Sequence, residues 1–96
     1  MGVPYYRGHV FVSPDLLVQY LPDGECVFLN LRTEEYFGLD EVGTRIWAIL
    51  THGQSVDEAH RQLLDEYAVD SDRLRQDLNE LVHRFVQHGF IELRNQ

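Results

Sequence analysis

The sequence predicts one small α+β domain, in which a three-stranded antiparallel sheet is followed by three α-helices. Residues 9–38 alternate short apolar runs with turn residues, whereas residues 40–85 repeat apolar residues at helical spacing. A length of 96 residues allows one modest core. No internal repeat or shift in composition divides the chain, so we expect residues 1–96 to form a single domain.

Four short apolar segments are predicted to be strands that tight turns join into an antiparallel meander. They are His9–Val12, Leu16–Leu21, Cys26–Leu31 and the very short Glu35–Gly38. Residues 22–24 form a turn, because Pro presets φ and Gly accepts a positive φ. No later segment predicts a strong strand, so the last of the four, the third strand of the sheet, is expected at its edge.

Three amphipathic segments are predicted to be helices, each with a capping residue at its start. Asp40 can cap the first, Ser55 and Glu58 form a capping box for the second, and Asp70 or Ser71 precedes the third. The stripes allow all three helices to cover one face of the sheet. The apolar stripe of the third helix consists of Leu74, Leu78, Leu81, Val82 and Phe85.

The second and third helices resemble a helix-turn-helix pair, and with the sheet beside them the domain resembles a winged helix-turn-helix. Gly89 favours the end of the third helix. Residues 90–93 form a short apolar tail, which is either a strand or a packing segment. Residues 1–8 are expected to be a loose arm.

Charge and residue types exclude several functions. Sixteen acidic residues outnumber eight basic ones, and the net charge of −8 has the wrong sign for binding duplex nucleic acid. The chain has no Lys, which excludes Schiff-base chemistry and a P-loop. The five His lack metal-ligand spacing, and Cys26 is predicted to be a buried, inert thiol. We therefore expect no enzyme, metal or other cofactor, and, without a signal peptide or membrane span, a cytoplasmic protein.

Two surfaces are candidates for binding a partner. The edge strand presents unpaired N–H and C=O groups that an extended peptide can satisfy, although Glu34, Glu35 and Gly38 could equally serve to protect that edge. On the third helix, charged residues of both signs lie beside the apolar stripe. They either line a peptide groove or form salt bridges along the helix. These residues are Arg73, Asp77, Glu80 and Arg84.

Residues 27–47 resemble the PqqD-like family, the peptide-recognition domains of pathways that make ribosomal peptide natural products. The family pattern there is an apolar strand, a Leu-x-Thr turn, a short aromatic strand and Leu-Asn-x-x-Gly-x-x-Ile-Trp. This chain has Asp40 where Asn is commoner, and either residue can cap a helix. Ser-Val-Asp-Glu at residues 55–58 and Gly-Phe-Ile-Glu at residues 89–92 also match, so the resemblance covers nearly the whole chain.

The resemblance implies a winged helix-turn-helix-like domain that binds the leader segment of a precursor peptide. In such domains the leader adds a strand to the edge of the third strand and lies against the third helix. Main-chain hydrogen bonds then provide affinity, while side-chain pockets select the leader. Carried over to this chain, the implied peptide-binding residues are Glu35, Tyr36, Phe37 and Gly38 on the strand, and Arg73, Leu74, Asp77, Leu78 and Leu81 on the helix.

The resemblance also implies partner enzymes. Because the chain ends at Gln96, with no room for a fused protease or cyclase, we expect a stand-alone protein that delivers the precursor to separate maturation enzymes. We favour a lasso-peptide pathway with its own leader protease and cyclase. The alternatives are a peptide chaperone for a radical enzyme, as in pyrroloquinoline quinone pathways, and a winged-helix domain that binds nucleic acid.

Overall fold

The computed structural model describes residues 4–94, and it confirms the α+β class with a three-stranded antiparallel sheet followed by three helices. The described residues form four strands, then three helices and a final strand. In chain order they are β1 (His9–Val12), β2 (Leu16–Tyr20), β3 (Cys26–Asn30), β4 (Glu35–Leu39), α1 (Glu41–Thr51), α2 (Val56–Glu66), α3 (Ser71–Gln87) and β5 (Ile91–Arg94).

The main sheet has the strand order β2-β3-β4, so β4 lies at one edge, as predicted. Residues 31–34 form the turn into β4, where the N–H of Glu34 donates to the carbonyl of Asn30 at 2.7 Å. Glu34 adopts a left-handed conformation with φ 63°. The side-chain oxygen of Asn30 accepts from the N–H of Arg32 at 2.9 Å, which fixes the start of the turn.

The prediction that β1 belongs to the same meander as β2, β3 and β4 is wrong. β1 pairs instead with β5, in a separate antiparallel two-stranded sheet with Val12 opposite Ile91. Gly89 has φ 73°, and this left-handed residue turns the chain back after α3. The apolar tail is therefore a strand, anchored by the buried side chains of Phe90 and Ile91. Because β5 pairs with β1, it leaves the outer edge of β4 uncovered.

The core lies between the inner face of the main sheet and the three helices. Phe28 is fully buried at the centre of β3, and its ring centroid lies 4.4 Å from that of Trp47 and 5.2 Å from that of Phe90. The even-numbered residues of β3 face inward, including the polar Asn30, whereas Val27 and Leu29 are only partly buried. Counting apolar residues along β3 does not identify this inner face.

Each predicted helix cap is present. The Asp40 carboxylate accepts from the N–H of Gly43 at 2.7 Å, and Asp70 caps α3 in the same way. Ser55 and Glu58 form the predicted capping box, with reciprocal hydrogen bonds of 3.1 Å and 2.8 Å. Each cap stabilises its helix by about 1 kcal/mol. Among residues 4–94 no helix is long and apolar enough to cross a membrane.

The N-terminal arm, which was expected to be loose, is held against α3 where the structure describes it; residues 1–3 lie outside the described residues. The N–H of Tyr6 donates to the Asn79 side chain at 2.6 Å, and its hydroxyl lies 2.6 Å from Nδ1 of His83. The Arg75 guanidinium donates to the carbonyl of Tyr6 at 2.6 Å and to Asp57 at 2.7 Å. These long-range partners anchor residues 4–8.

Candidate peptide-binding site

The outer edge of β4 carries unpaired backbone groups at two residues. The N–H of Leu31 donates to the carbonyl of Asp15 at 2.8 Å, so the odd-numbered residues of β3 bond towards β2. Since N–H and C=O groups alternate in direction along a strand, the even-numbered residues of β3 bond towards β4. The register pairs these with Glu35, Phe37 and Leu39. Tyr36 and Gly38 therefore direct their N–H and C=O groups outward.

An open cleft of about 520 Å³ lies beside this edge, between the end of β4, the first turns of α1 and the middle of α3. Its walls combine apolar groups with carboxylates and one guanidinium. Ile46 and Leu39 are buried and close its floor, while Val42 is exposed at its rim. The lining residues are Gly38, Leu39, Asp40, Val42, Gly43, Ile46, Asp77, Glu80, Leu81 and Arg84.

Helical spacing explains which residues of α3 reach the cleft. Asp77, Glu80, Leu81 and Arg84 lie three, four and seven residues apart and so share one face of the helix. The adjacent face, roughly 120° further around the helix, carries Leu78, Val82 and Phe85, which are fully buried in the core. Leu81 is half-buried between the two faces and supplies the main apolar surface of α3 in the cleft.

The structure brings the predicted strand residues to the edge of the sheet. Glu35 and Gly38 are exposed, and the side chain of Tyr36 is 75% exposed on the outer face of the sheet. Phe37 points inward, where its ring lies 6.3 Å from Phe28. A side chain at Gly38 would meet no atom within 4 Å, so the fold itself does not require glycine there.

The predicted residues of α3 fall into two groups. Asp77 and Leu81 line the cleft, and the exposed Arg73 lies beside them, paired with Asp77 at 3.5 Å. Leu74 is 9% exposed and Leu78 is fully buried, so both belong to the core beneath the cleft. One stripe on the helical wheel thus contains a cleft residue and two core residues.

Glu80 and Arg84, which the sequence left open as either groove residues or salt-bridge partners, line the cleft. Sequence reasoning did not include Val42 and Ile46 among the site residues. Arg84 does not form the possible salt bridge with Glu80: its guanidinium lies over the ring of Phe37, 5.0 Å from the ring centroid. The seven-residue spacing from Asp77 to Arg84 was the available signal for α3. No comparable signal marks Val42 and Ile46, because their place depends on how α1 packs against β4.

Comparison with known proteins gives the family. The model of the family described as coenzyme PQQ synthesis protein D (PqqD) matches residues 25–91, most of the chain. This chain belongs to the PqqD family. Among solved structures, it is similar to TbiB1 in complex with the TbiA(beta) leader peptide, with 32% identity and a TM-score of 0.80 over 88% of this chain and 98% of that one. A search of curated proteins gives no match.

A second solved structure is similar to this PqqD-family chain. It is a lasso peptide synthetase B1 complexed with the leader peptide, with 25% identity and a TM-score of 0.80 over 88% of this chain and 99% of that one. The family match spans β3, β4 and all three helices, and so includes every element that lines the cleft. The family resemblance seen in the sequence is therefore confirmed.

Groups that often perform chemistry are not arranged for it in the described part of this PqqD-family protein. Cys26 is fully buried, and burial raises the pKa of its thiol, although the hydroxyl of Thr44 donates to the sulfur at 3.4 Å. A raised pKa disfavours the reactive thiolate. Within residues 4–94 no three His, Cys, Asp or Glu side chains are grouped so as to hold a metal ion. The open edge and its cleft are the features suited to binding.

Proposed function

We propose that this protein binds the leader segment of a ribosomally made precursor peptide, which adds a strand to β4 and lies in the cleft against α3. The observation that carries the proposal is the pair of outward-facing backbone positions, Tyr36 and Gly38, beside an open cleft of about 520 Å³. The two similar solved structures support it, because both were determined with leader peptides.

Backbone pairing alone is too weak for specific binding. Tyr36 and Gly38 offer two N–H and two C=O groups, and each hydrogen bond contributes about 1 kcal/mol net. Association costs roughly 4 kcal/mol or more in lost translational and rotational freedom. The remaining affinity must come from side chains that enter the cleft, where burying one aliphatic side chain on Ile46 and Leu81 contributes about 2 kcal/mol.

The cleft also explains how one leader is selected over another. Every second side chain of an added strand faces α3, so alternate leader residues meet the apolar floor. Asp77 and Glu80 on one wall favour a leader that carries Lys or Arg nearby, and the net charge of −8 acts in the same direction. Leu74 and Leu78, which are buried, act by supporting this wall of α3 from beneath.

The bound leader would keep the rest of the precursor available to separate maturation enzymes. We favour a leader protease and a cyclase of the lasso type, because the two similar structures are TbiB1 and a lasso peptide synthetase B1. The alternative, a peptide chaperone for a radical enzyme, has the support of the family description, which concerns coenzyme PQQ synthesis. In both cases the protein acts by binding, and the chemistry belongs to its partners.

Fluorescence anisotropy tests the proposal. The labelled probe is the N-terminal segment encoded by the short reading frame beside this gene, and a scrambled peptide of the same composition is the control. We expect a dissociation constant of about 1 μM or lower, equivalent to about −8 kcal/mol. Equal affinity for the scrambled peptide contradicts leader recognition. Binding only after the neighbouring protease or cyclase is added would place the complete site on the complex.

A further inference from the structure

We propose that a second groove, at the opposite end of β4 from the cleft, holds the segment of the same peptide that flanks the strand paired with β4. This inference rests on the proposed function, because it extends the peptide beyond the cleft. The groove has a volume of about 1170 Å³ and lies between the β1–β5 sheet, the turn into β4 and the end of α3. Its walls include Val12, Arg32, Glu35, His88 and Leu93.

The two depressions lie at opposite ends of β4, with Tyr36 and Phe37 between them. The cleft begins at Gly38 and the second groove begins at Glu35, the first residue of the same strand. Five paired residues of an added strand span only about 17 Å. A longer peptide that follows the edge of β4 must therefore leave the strand at Glu35 or at Leu39. At the Glu35 end it enters the second groove directly.

One face of α3, extended by its C-cap residue His88, lines both depressions. At 100° per residue, Asp77, Leu81, Arg84 and His88 fall within an arc of about 60°. The first three face the cleft and the fourth faces the second groove. The His88 ring lies 5.2 Å from the ring of Phe37, so the boundary between the depressions is a packed aromatic surface along which a peptide can run.

The walls of the groove indicate what it holds. Val12 is 42% exposed although it lies in a paired strand, and the half-buried Leu93 shares its face of the β1–β5 sheet. Phe11 points to the other face, where the Arg94 guanidinium lies 4.2 Å from its ring centroid. The charges are mixed, with Arg32 and Arg94 facing Asp15, Glu35 and Glu92. Because neither sign dominates, we assign selectivity to the apolar wall. The expected occupant is an extended peptide segment with an aliphatic side chain that packs against Val12.

A double-mutant cycle between protein and peptide tests the groove. The probes are the labelled leader encoded beside this gene and versions shortened from each end, one residue at a time. Shortening one end is expected to weaken binding to the wild type about tenfold, equivalent to 1.4 kcal/mol. The variant Val12→Glu should bind the full leader about tenfold more weakly than the wild type does. Shortening the leader at that end should not weaken its binding to this variant any further. The control Val69→Glu changes a Val that is 51% exposed outside both depressions, and should behave as the wild type.

A second variant guards against a folding defect in β1. Gln87→Trp fills the groove from an exposed position at the end of α3, adds no charge, and should reproduce the loss seen with Val12→Glu. Additive losses, in which shortening weakens every variant as much as the wild type, would overturn the groove but leave the binding at β4 standing. Failure of the wild type to bind the full leader would overturn both.

Discussion

The two polar rows on α3 are in opposite situations. In the closed row, Arg75 and Asn79 are buried, and carbonyl groups of the N-terminal arm accept a hydrogen bond from each side chain. In the open row, Asp77 and Arg84 line the cleft beside β4, which no other segment among residues 4–94 fills. Both rows have the spacing of one helical face, so the spacing does not reveal which row binds a ligand. A polar row is available to a ligand only where no other segment of the fold covers it.

The largest expected effect is on the closed row. Arg75→Ala should lower the free energy of unfolding by about 2 kcal/mol, because it leaves the carbonyl of Tyr6 without its donor. Asp57 keeps only its longer contact with Arg7, at 3.4 Å. Urea denaturation measures this loss. Leader affinity, measured below the unfolding transition, should stay at the wild-type value. A folded Arg75→Ala protein with weakened binding would mean that the arm side contributes to the site.

The backbone edge gives the next largest effect. Tyr36→Pro removes an N–H that points outward, so it should preserve the bonds between β3 and β4 while lowering leader affinity at least about tenfold. The matched control is Tyr36→Thr, which keeps the N–H and the strand propensity. Anisotropy titrations and thermal unfolding of both variants separate binding from stability. Wild-type affinity in a folded Tyr36→Pro protein would show that the leader does not pair with β4.

The open row should respond more weakly. Asp77→Arg reverses one charge on the wall of the cleft, and we expect about a fivefold loss of affinity for a leader that carries Lys or Arg, on the scale of a close charge pair. The loss should shrink at high salt. Asp72→Arg makes the same charge change on an exposed residue of α3 outside the cleft, and should have little effect. Equal effects of the two substitutions would mean that Asp77 affects leader affinity only through the overall charge of the protein.

The sequence predicted the local features of the fold well. Asp40, Ser55 and Asp70 each cap a helix as expected, because capping depends on residues three positions apart. The pairing of β1 with β5 was missed, since it joins segments separated by almost the whole chain. The anchored arm was missed for the same reason: the partners of Tyr6 are on α3.

The candidate site was predictable in part. The edge position of β4 follows from the order of the strands, whereas the outward direction of the Tyr36 and Gly38 backbone depends on the register with β3. Leu78 and Leu81 lie on one stripe of the helical wheel, yet the first is fully buried and the second lines the cleft. Because the two leucines are only three residues apart on one stripe, helical spacing does not show which of them is buried. Their different burial depends on how α3 packs against the sheet near the edge of β4.

An exposed charge pair offers the smallest and most specific test of the comparison. Arg45 on α1 donates to Glu66 on α2 at 2.9 Å and 2.6 Å. Like the closed row, these two side chains have a partner within the protein, but like the open row they are exposed to solvent. The hydrogen bonds from Arg45, and then that from Gln62, lower the pKa of Glu66 to about 2. The pair therefore stabilises the fold above the ordinary pKa of a Glu, and its contribution is lost as the pH falls towards 2.

We expect the urea midpoint of the wild type to fall more steeply between pH 5 and pH 2 than that of Glu66→Gln, because the variant has no carboxylate to protonate at this position. The matched variant Arg45→Gln removes the first cause of the lowered pKa of Glu66, and should make the fall in the urea midpoint shallower in the same way. Equal slopes for the wild type and Glu66→Gln would mean that an exposed pair adds no measurable stability. Pairing of polar side chains within the protein would then stabilise the fold only where these groups are also buried, as they are beneath the N-terminal arm.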